Sequence, residues 1–338
     1  EAISVYARSA VLDPDFTTPH YGLADLAFRK GDLQATSVAL ESVITTAPWD
    51  DNAHHLLGEV YRSLGEKSQA QVSYEKALQI HQTRPETRYQ LGQIYLEKGQ
   101  FQHAISVLKP AITMVPGDAE YHAALATAYV ESNQLRQAIK VLENAEGLGI
   151  SGSNILMVQS KVDLSQGRIS EGTLKLENIL QQDPSRLDVL ALLANAYVRQ
   201  GRYAESVVTY RRAIAGGEPL GTIAVHLAMA LEALGETVEA EKVYRDALTQ
   251  APDQIGIRMM LVKRLLERQD REGATDTLFG ALQHSPANKS VHLLLGDLYE
   301  KQGEIDRSIL HYEQSKGIKD QTSRTLEALG KLYNSKGD

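Results

Sequence analysis

The sequence predicts an all-α solenoid built from 34-residue helix-turn-helix repeats, and three observations carry that prediction. The first is a fixed offset: Leu57-Gly58, Tyr61, Gly65, Ala70, Tyr74 and Ala77 return 34 residues later as Leu91-Gly92, Tyr95, Gly99, Ala104, Leu108 and Ala111. A period of this length without insertions marks units that bury their apolar faces only against their neighbours. The second is a pair of small positions. With each unit numbered from 1, the eighth residue is Ala24, Gly58, Gly92, Ala126, Ser160, Ala194, Ala228, Val262, Gly296 or Gly330, and the twentieth is Ala70, Ala104, Ala138, Ser206, Ala240, Ala274 or Ser308 in most units, so two helices can approach closely. The third is punctuation. Gly31, Gly65, Gly99, Gly167, Gly201, Gly235 and Gly303 stand at position fifteen, where a tight turn calls for a left-handed backbone. Pro14, Pro48, Pro116, Pro184, Pro252 and Pro286 stand at position thirty-two, where a missing N–H stops the second helix.

On this numbering full repeats run 17–50, 51–84, 85–118, 119–152, 153–186, 187–220, 221–254, 255–288 and 289–322, with partial repeats at 1–16 and 323–338. No composition shift marks a linker, so residues 1–338 read as a single array. Glu1 to Val11 read as a second helix with Val5, Tyr6 and Leu12 inward, closed by Asp13-Pro14. The unit from Thr17 turns Leu23, Ala24 and Ala27 inward and reverses at Gly31-Asp32. Tyr61, Tyr74 and Tyr95 fall where a ring fills the groove between helices, a core role.

The unit from Ser153 departs from the pattern. Asp163 replaces the usual Tyr or Leu of position eleven, Gly172 replaces a small helix former, and Gly147 to Gly152 has no stop proline. A buried unpaired carboxylate costs several kcal/mol, so Asp163 needs water, Lys161 or a backbone N–H. Gly172 costs about 1 kcal/mol against Ala. The stretch is either a tolerated irregularity or a hinge between two rigid halves. The pattern recovers at Leu187 with Tyr197, Gly201, Tyr210 and Ala213, softens at Gly216-Gly217-Glu218-Pro219, and puts Gln269 where a turn glycine is expected. The last unit stops after Leu329-Gly330, Tyr333 and Gly337, and the first lacks its first helix. The chain is therefore expected to be a piece of a longer array whose cut ends would permit self-association.

Composition narrows the function classes. The 338 residues are 43% hydrophobic and 23% charged, ordinary values for a soluble protein. A net charge of −8 and a pI of 5.7 oppose binding to nucleic acid or an anionic membrane surface. No apolar run reaches the roughly 20 residues of a membrane span, so direct membrane insertion is not expected. Without cysteine there is no disulfide, thiolate metal site or cysteine nucleophile, and cytoplasmic and bacterial periplasmic locations both stay open. No phosphate-binding glycine loop, zinc-binding His-Glu-x-x-His or Gly-x-Ser-x-Gly turn is present, so neither catalytic residues, cofactor nor metal are expected. His20, His54, His122 and His292 share position four, but first helices about 10 Å apart cannot bring them to one ion, and a core or rim role is expected.

The recurring small, glycine and proline positions resemble the tetratricopeptide repeat family across most of the chain. The resemblance implies a right-handed α-α superhelix acting as a non-enzymatic scaffold that binds a peptide or helical segment of a partner protein in its concave groove. Groove residues of such arrays include positions five and nine of the first helix. Position five here reads Tyr21, His55, Tyr89, Ala123, Met157, Ala191, Val225, Met259 and Leu293, its last six forming an apolar stripe to which position twelve adds Leu96, Val130, Leu164, Val198 and Leu266. A contiguous apolar groove, with adaptable Met, suits a recognition site. Position nine reads Asp25, Glu59, Gln93, Thr127, Lys161, Asn195, Met229, Lys263 and Asp297. Gln93 and Asn195 would pair with a peptide backbone, and Asp25, Glu59, Glu97 and Glu131 would favour a basic segment at the N-terminal mouth. Tyr21 with Asp25, and His55 with Glu59, replace the Lys and Asn by which the chaperone-binding branch grips a C-terminal carboxylate, which argues against that clamp. Two other readings remain: an extracytoplasmic arm of a bacterial envelope assembly or polysaccharide or protein export complex, and the substrate-recognition arm of a larger enzyme such as a glycosyltransferase.

Overall fold

A computed structural model describes residues 2–13, 16–317 and 322–336, and these contain α-helices joined by short turns with no strand. Pro14 and Gly337, assigned above as a stop and a turn, lie outside the described residues. The helices are α1 (Ala2–Leu12), α2 (Thr17–Arg29), α3 (Leu33–Thr46), α4 (Asp51–Ser63), α5 (Lys67–Ile80), α6 (Pro85–Glu97), α7 (Phe101–Met114), α8 (Ala119–Glu131), α9 (Leu135–Gly147), α10 (Ser153–Ser165), α11 (Ile169–Gln182), α12 (Leu187–Arg199), α13 (Tyr203–Ala215), α14 (Leu220–Ala233), α15 (Thr237–Gln250), α16 (Ile255–Glu267), α17 (Arg271–His284), α18 (Lys289–Gln302), α19 (Ile305–Ser315) and α20 (Thr322–Lys336). Each full repeat is one helical hairpin, α2–α3 through α18–α19. The chain divides into two compact units, Glu1–Lys175 and Leu176–Asp338, with the division inside α11.

The turns follow the punctuation. All seven position-fifteen glycines have φ between 69° and 82°, and Asn133 (φ 60°) and Gln269 (φ 63°) take the same left-handed conformation where glycine is absent. Second helices end two residues before the stop proline: α3 at Thr46, α7 at Met114, α15 at Gln250 and α17 at His284. At two of the places where the proline is missing, a left-handed glycine substitutes. Gly149 (φ 71°) lets Ile150 N–H return to the Ala145 carbonyl, and Gly217 (φ 106°) lets Glu218 N–H return to Ala213. First helices are capped by Asp50, Asp118 and Asn288, and second helices by Asp32 and Asp270, each accepting backbone N–H bonds.

In the first unit the core is continuous from Ala24 to Val162. Position eight is small because the residue at position twenty-four lies across it: a Cβ on Gly58 would stand 2.5 Å from the Tyr74 ring, and one on Gly92 would stand 2.6 Å from Leu108. Gly172 has the same kind of reason, since a Cβ there would meet Leu164 at 2.9 Å and the Ser160 carbonyl at 3.0 Å, so the glycine permits a closer helix approach than alanine. In the second unit a Cβ on Gly296 would meet Tyr312 at 2.7 Å, and the position-twenty serines Ser206 and Ser308 donate across the helix pair to the carbonyls of Ala194 and Gly296, both at 2.9 Å.

Two predictions about inward residues need correction. In α1, Val5 and Leu12 are exposed, because α1 packs on α2 and turns those side chains away from it, whereas the Tyr6 ring lies against Gly22. Asp163 is 4% exposed, but its donors are Arg168 and Lys175, from the turn and from α11. Lys161 points elsewhere and pairs with Glu131 at 3.0 Å. Two cations on one carboxylate meet the desolvation cost that an unpaired Asp163 would carry.

Recurring side-chain bonds join one repeat to the next. In the first unit the position-eleven hydroxyls of Tyr61 and Tyr95 donate to Glu41 and Glu75 on the preceding second helix. In the second unit Tyr197 and Tyr333 do the same to Glu177 and Glu313. Position four holds a second kind of stitch. Nε2 of His54 and of His122 donates to the carbonyls of Pro48 and Pro116, and Nε2 of His292 to that of Pro286. Arg88 and Arg258 reach the equivalent carbonyls of Gln82 and Pro252. His54, His122 and His292 therefore tie their own helix to the turn that precedes it, a role that periodicity alone had not assigned.

Candidate functional site

The first-helix residues at positions five and nine form the candidate surface, and their burial differs along each unit. In the first unit Tyr21, His55, Tyr89 and Met157 are half-buried, while Ala123 is packed away; Asp25 is exposed, and Glu59, Gln93, Thr127 and Lys161 are half-buried. In the second unit Ala191, Val225, Met259, Asn195 and Asp297 are half-buried, Met229 and Lys263 are exposed, and Leu293 is packed against Tyr312, Leu329 and Leu332. Ala123, Leu293 and position-twelve Leu164 are buried, so they offer packing rather than surface.

The polar side chains at position nine are largely engaged from within. The position-twenty-four tyrosine of the same repeat rises through the helix pair and donates to them: Tyr74 to Glu59 at 2.7 Å, Tyr210 to Asn195 at 2.5 Å and Tyr312 to Asp297 at 2.8 Å. Gln93 donates to the Tyr89 hydroxyl at 2.7 Å, and Tyr89 stacks on Tyr121 with ring centroids 5.1 Å apart. Position five is likewise held. Tyr21 donates to Asp50 at 2.8 Å and His55 Nδ1 meets the Thr87 hydroxyl at 2.9 Å. Burial first, and Asp50 second, push the Tyr21 hydroxyl up to about 12; burial and then Arg84 pull the His55 imidazole down. The four carboxylates of the N-terminal mouth each have an internal partner: Asp25 with Arg29, Glu59 with Tyr74, Glu97 with Lys67 and Glu131 with Lys161. The spacing of position twenty-four at residues 74, 210 and 312 was in the sequence, but which atom the ring reaches was not.

An opening on this surface lies in the first full repeat. The unit from Thr17 has Leu40, not tyrosine, at position twenty-four, and no ring rises to Asp25. A cavity of about 330 Å³ remains, lined by Tyr21, Ala24, Asp25, Phe28, Thr36, Leu40, Leu56, Glu59 and Val60. Its lining residue Phe28 is 58% exposed. Sequence reasoning missed Phe28, although its position twelve was among the groove positions.

Family models described as tetratricopeptide repeat match residues 51–83, 68–126, 95–146, 163–216, 191–255 and 290–322, together well over half of the chain. The chain belongs to the tetratricopeptide repeat family. Solved structures agree on the fold. A tetratricopeptide repeat protein from Parabacteroides merdae is 16% identical, with a TM-score of 0.62, over 74% of this chain and 98% of its own. A chain of the APC/C hetero-tetramer Cut9-Hcn1 is 15% identical, with a TM-score of 0.59, over 85% of this chain and 56% of its own. The human IFIT1 dimer with PPP-AAAA is 14% identical, with a TM-score of 0.55, over 88% and 81%. The sequence matches no curated protein at a significant level. Tetratricopeptide repeats are generally non-catalytic scaffolds for protein interactions. Among the described residues no cluster of three metal-ligating side chains occurs, and no helix is long and apolar enough to cross a membrane.

Proposed function

We propose that the chain is a non-enzymatic scaffold that captures a short partner segment on its first-helix surface, with the cavity beside Phe28 as the anchor site. The observation that carries this reading is that cavity, because it joins unfilled apolar volume, an exposed aromatic ring and two carboxylates, Asp25 and Glu59. The apolar lining favours a large aliphatic or aromatic side chain, and burying one such side chain yields about 1.5–3 kcal/mol. The carboxylates favour a neighbouring Lys or Arg on the partner; the Arg29–Asp25 pair is exposed, costs little to exchange, and gives way to an incoming cation. The chain's net charge of −8 works against a nucleic-acid strand in the same place.

Selection from a bead-displayed peptide library tests the proposal. The wild-type chain should enrich peptides with a large apolar residue next to Lys or Arg, and Phe28→Ala should lose that enrichment while keeping the wild-type helical content. Enrichment that is absent, or that survives Phe28→Ala unchanged, overturns the reading.

A further inference from the structure

In the repeat from Ala119 the tyrosine–glutamate stitch is absent. Tyr129 occupies position eleven like Tyr61 and Tyr95, but the residue facing it from α7 is Lys109, where Glu41 and Glu75 stand in the repeats before. Among the described residues the Tyr129 hydroxyl makes no hydrogen bond, and neither Lys109 nor Lys140 has an ion-pair partner. These side chains line a cavity of about 410 Å³ between α7, α8 and α9, with Thr113, His122, Gln137 and Asn144. The equivalent cavity two repeats earlier is lined by Glu41, His54 and Tyr61. In that cavity the protein supplies its own carboxylate; the later one is lined by two lysines and by no carboxylate.

A second observation points to a ligand in the same cavity. His122 is 0% exposed and donates through Nε2 to Pro116, which leaves Nδ1 as a buried lone pair with no partner. Its counterpart His292 has the same Nε2 bond, and its Nδ1 is met by His311 Nδ1 at 2.9 Å. In the Ala119 repeat the position of His311 is taken by Val141, which has no donor. A buried polar atom without a partner costs free energy that a ligand bearing a donor recovers.

We propose that this cavity, separate from the first-helix groove, binds a carboxylate with an N–H group close beside it, as at a peptide C-terminus or in a free N-acyl amino acid. The carboxylate takes the place that Glu41 and Glu75 fill in the earlier repeats, accepting from the Tyr129 hydroxyl and pairing with Lys109 and Lys140. The adjacent N–H donates to His122 Nδ1. A carboxylate is favoured over other anions because the array itself uses one at this register, and a single planar acceptor pair fits one phenol and two ammonium groups.

The test is a titration of the full ¹⁵N-labelled chain, read from the backbone signals of Tyr129 and Lys140, with N-acetylglycine, with acetyl-Gly-Ser-Gly-Ser-Gly bearing a free C-terminus, and with the C-terminal amides of both. Saturable shifts with N-acetylglycine place the free acid in the site; shifts with the pentapeptide acid alone place a chain terminus there; either result supports the proposal. Lys109→Glu restores the earlier stitch, so the variant should melt no lower than wild type and bind at least about tenfold more weakly. Lys140→Gln, on the surface, should weaken binding in the same direction. The proposal is overturned if neither acid shifts the signals, if the amides shift them equally, or if Lys109→Glu binds as tightly as wild type.

Discussion

The Tyr95 hydroxyl donates to Glu75 Oε1 at 2.7 Å, so the eleventh residue of one repeat is bonded to the second helix of the repeat before it. Tyr197 and Glu177 repeat the relationship in the second unit at 2.8 Å. In both, burial first and the carboxylate second hold the phenol above its ordinary value of 10.0, for Tyr197 at about 12. A folded-state pKa raised above the unfolded one contributes stability that is fully present below about pH 10 and is lost as pH climbs through the folded value. Denaturant unfolding of Tyr95→Phe should show about 1 kcal/mol less stability at neutral pH, and a smaller deficit above about pH 10. An unchanged midpoint at neutral pH would refute the stitch.

His311, buried beside His292, should make the C-terminal repeats acid-sensitive. His311 stacks on Tyr299 and lies against Phe279, and burial, then His292, lower its affinity for a proton below the ordinary 6.5. A neutral buried histidine contributes stability above the unfolded value that is lost as pH falls through the lowered folded value. Melting followed from pH 8 to pH 5 should therefore decline below about pH 6.5, and His311→Gln should flatten that decline.

Gln269 is held at φ 63° where seven other turns use glycine. Gln269→Gly relieves a left-handed backbone cost of about 1 kcal/mol and should raise the unfolding midpoint, with no change in the slope of the transition.

Gly58→Ala should destabilise by about 1–3 kcal/mol, because the new methyl would stand 2.5 Å from the Tyr74 ring. The double variant Gly58→Ala, Tyr74→Leu should recover much of that loss, since Ala24 with Leu40 and Ala126 with Leu142 already form such pairs in this chain. Failure of the second change to rescue the first would show that backbone, not the ring, limits position eight.

Lys175→Met should leave Asp163 with Arg168 alone in a site that is 4% exposed. Breaking part of a buried ion pair costs about 3 kcal/mol. Hydrogen exchange should quicken across residues 145–175 more than in either flank; uniform protection in the variant would argue against both the pairing and a soft joint here.

The helices, turns and stops were legible because each depends on short-range rules that recur in most repeats: a glycine that accepts positive φ, a proline that lacks an N–H, a small residue where helices touch. Even the exceptions obeyed them, with Asn133 and Gln269 bearing the left-handed turn and Gly149 and Gly217 replacing the stop prolines. The groove was less legible. Positions five and nine were assigned by register, yet register does not say that Tyr74 and Tyr210 reach the polar atoms of Glu59 and Asn195, or that Leu293 is packed beneath α19 and α20. Asp163 was recognised as anomalous, but its partners Arg168 and Lys175 come from a turn and a facing helix that pattern alone does not place.

The sequence by itself thus determined the family and the helical hairpin, because a 34-residue period constrains every unit identically and noise in one unit is overruled by the rest. Only the tertiary structure decided which polar groups are satisfied and which are left open. That outcome depends on what a neighbouring helix brings within about 3 Å: tyrosine or leucine at position twenty-four, glutamate or Lys109 opposite a tyrosine, His311 or Val141 opposite a histidine. Single substitutions of that kind leave the period intact while opening the cavity beside Phe28 and the one beside Tyr129.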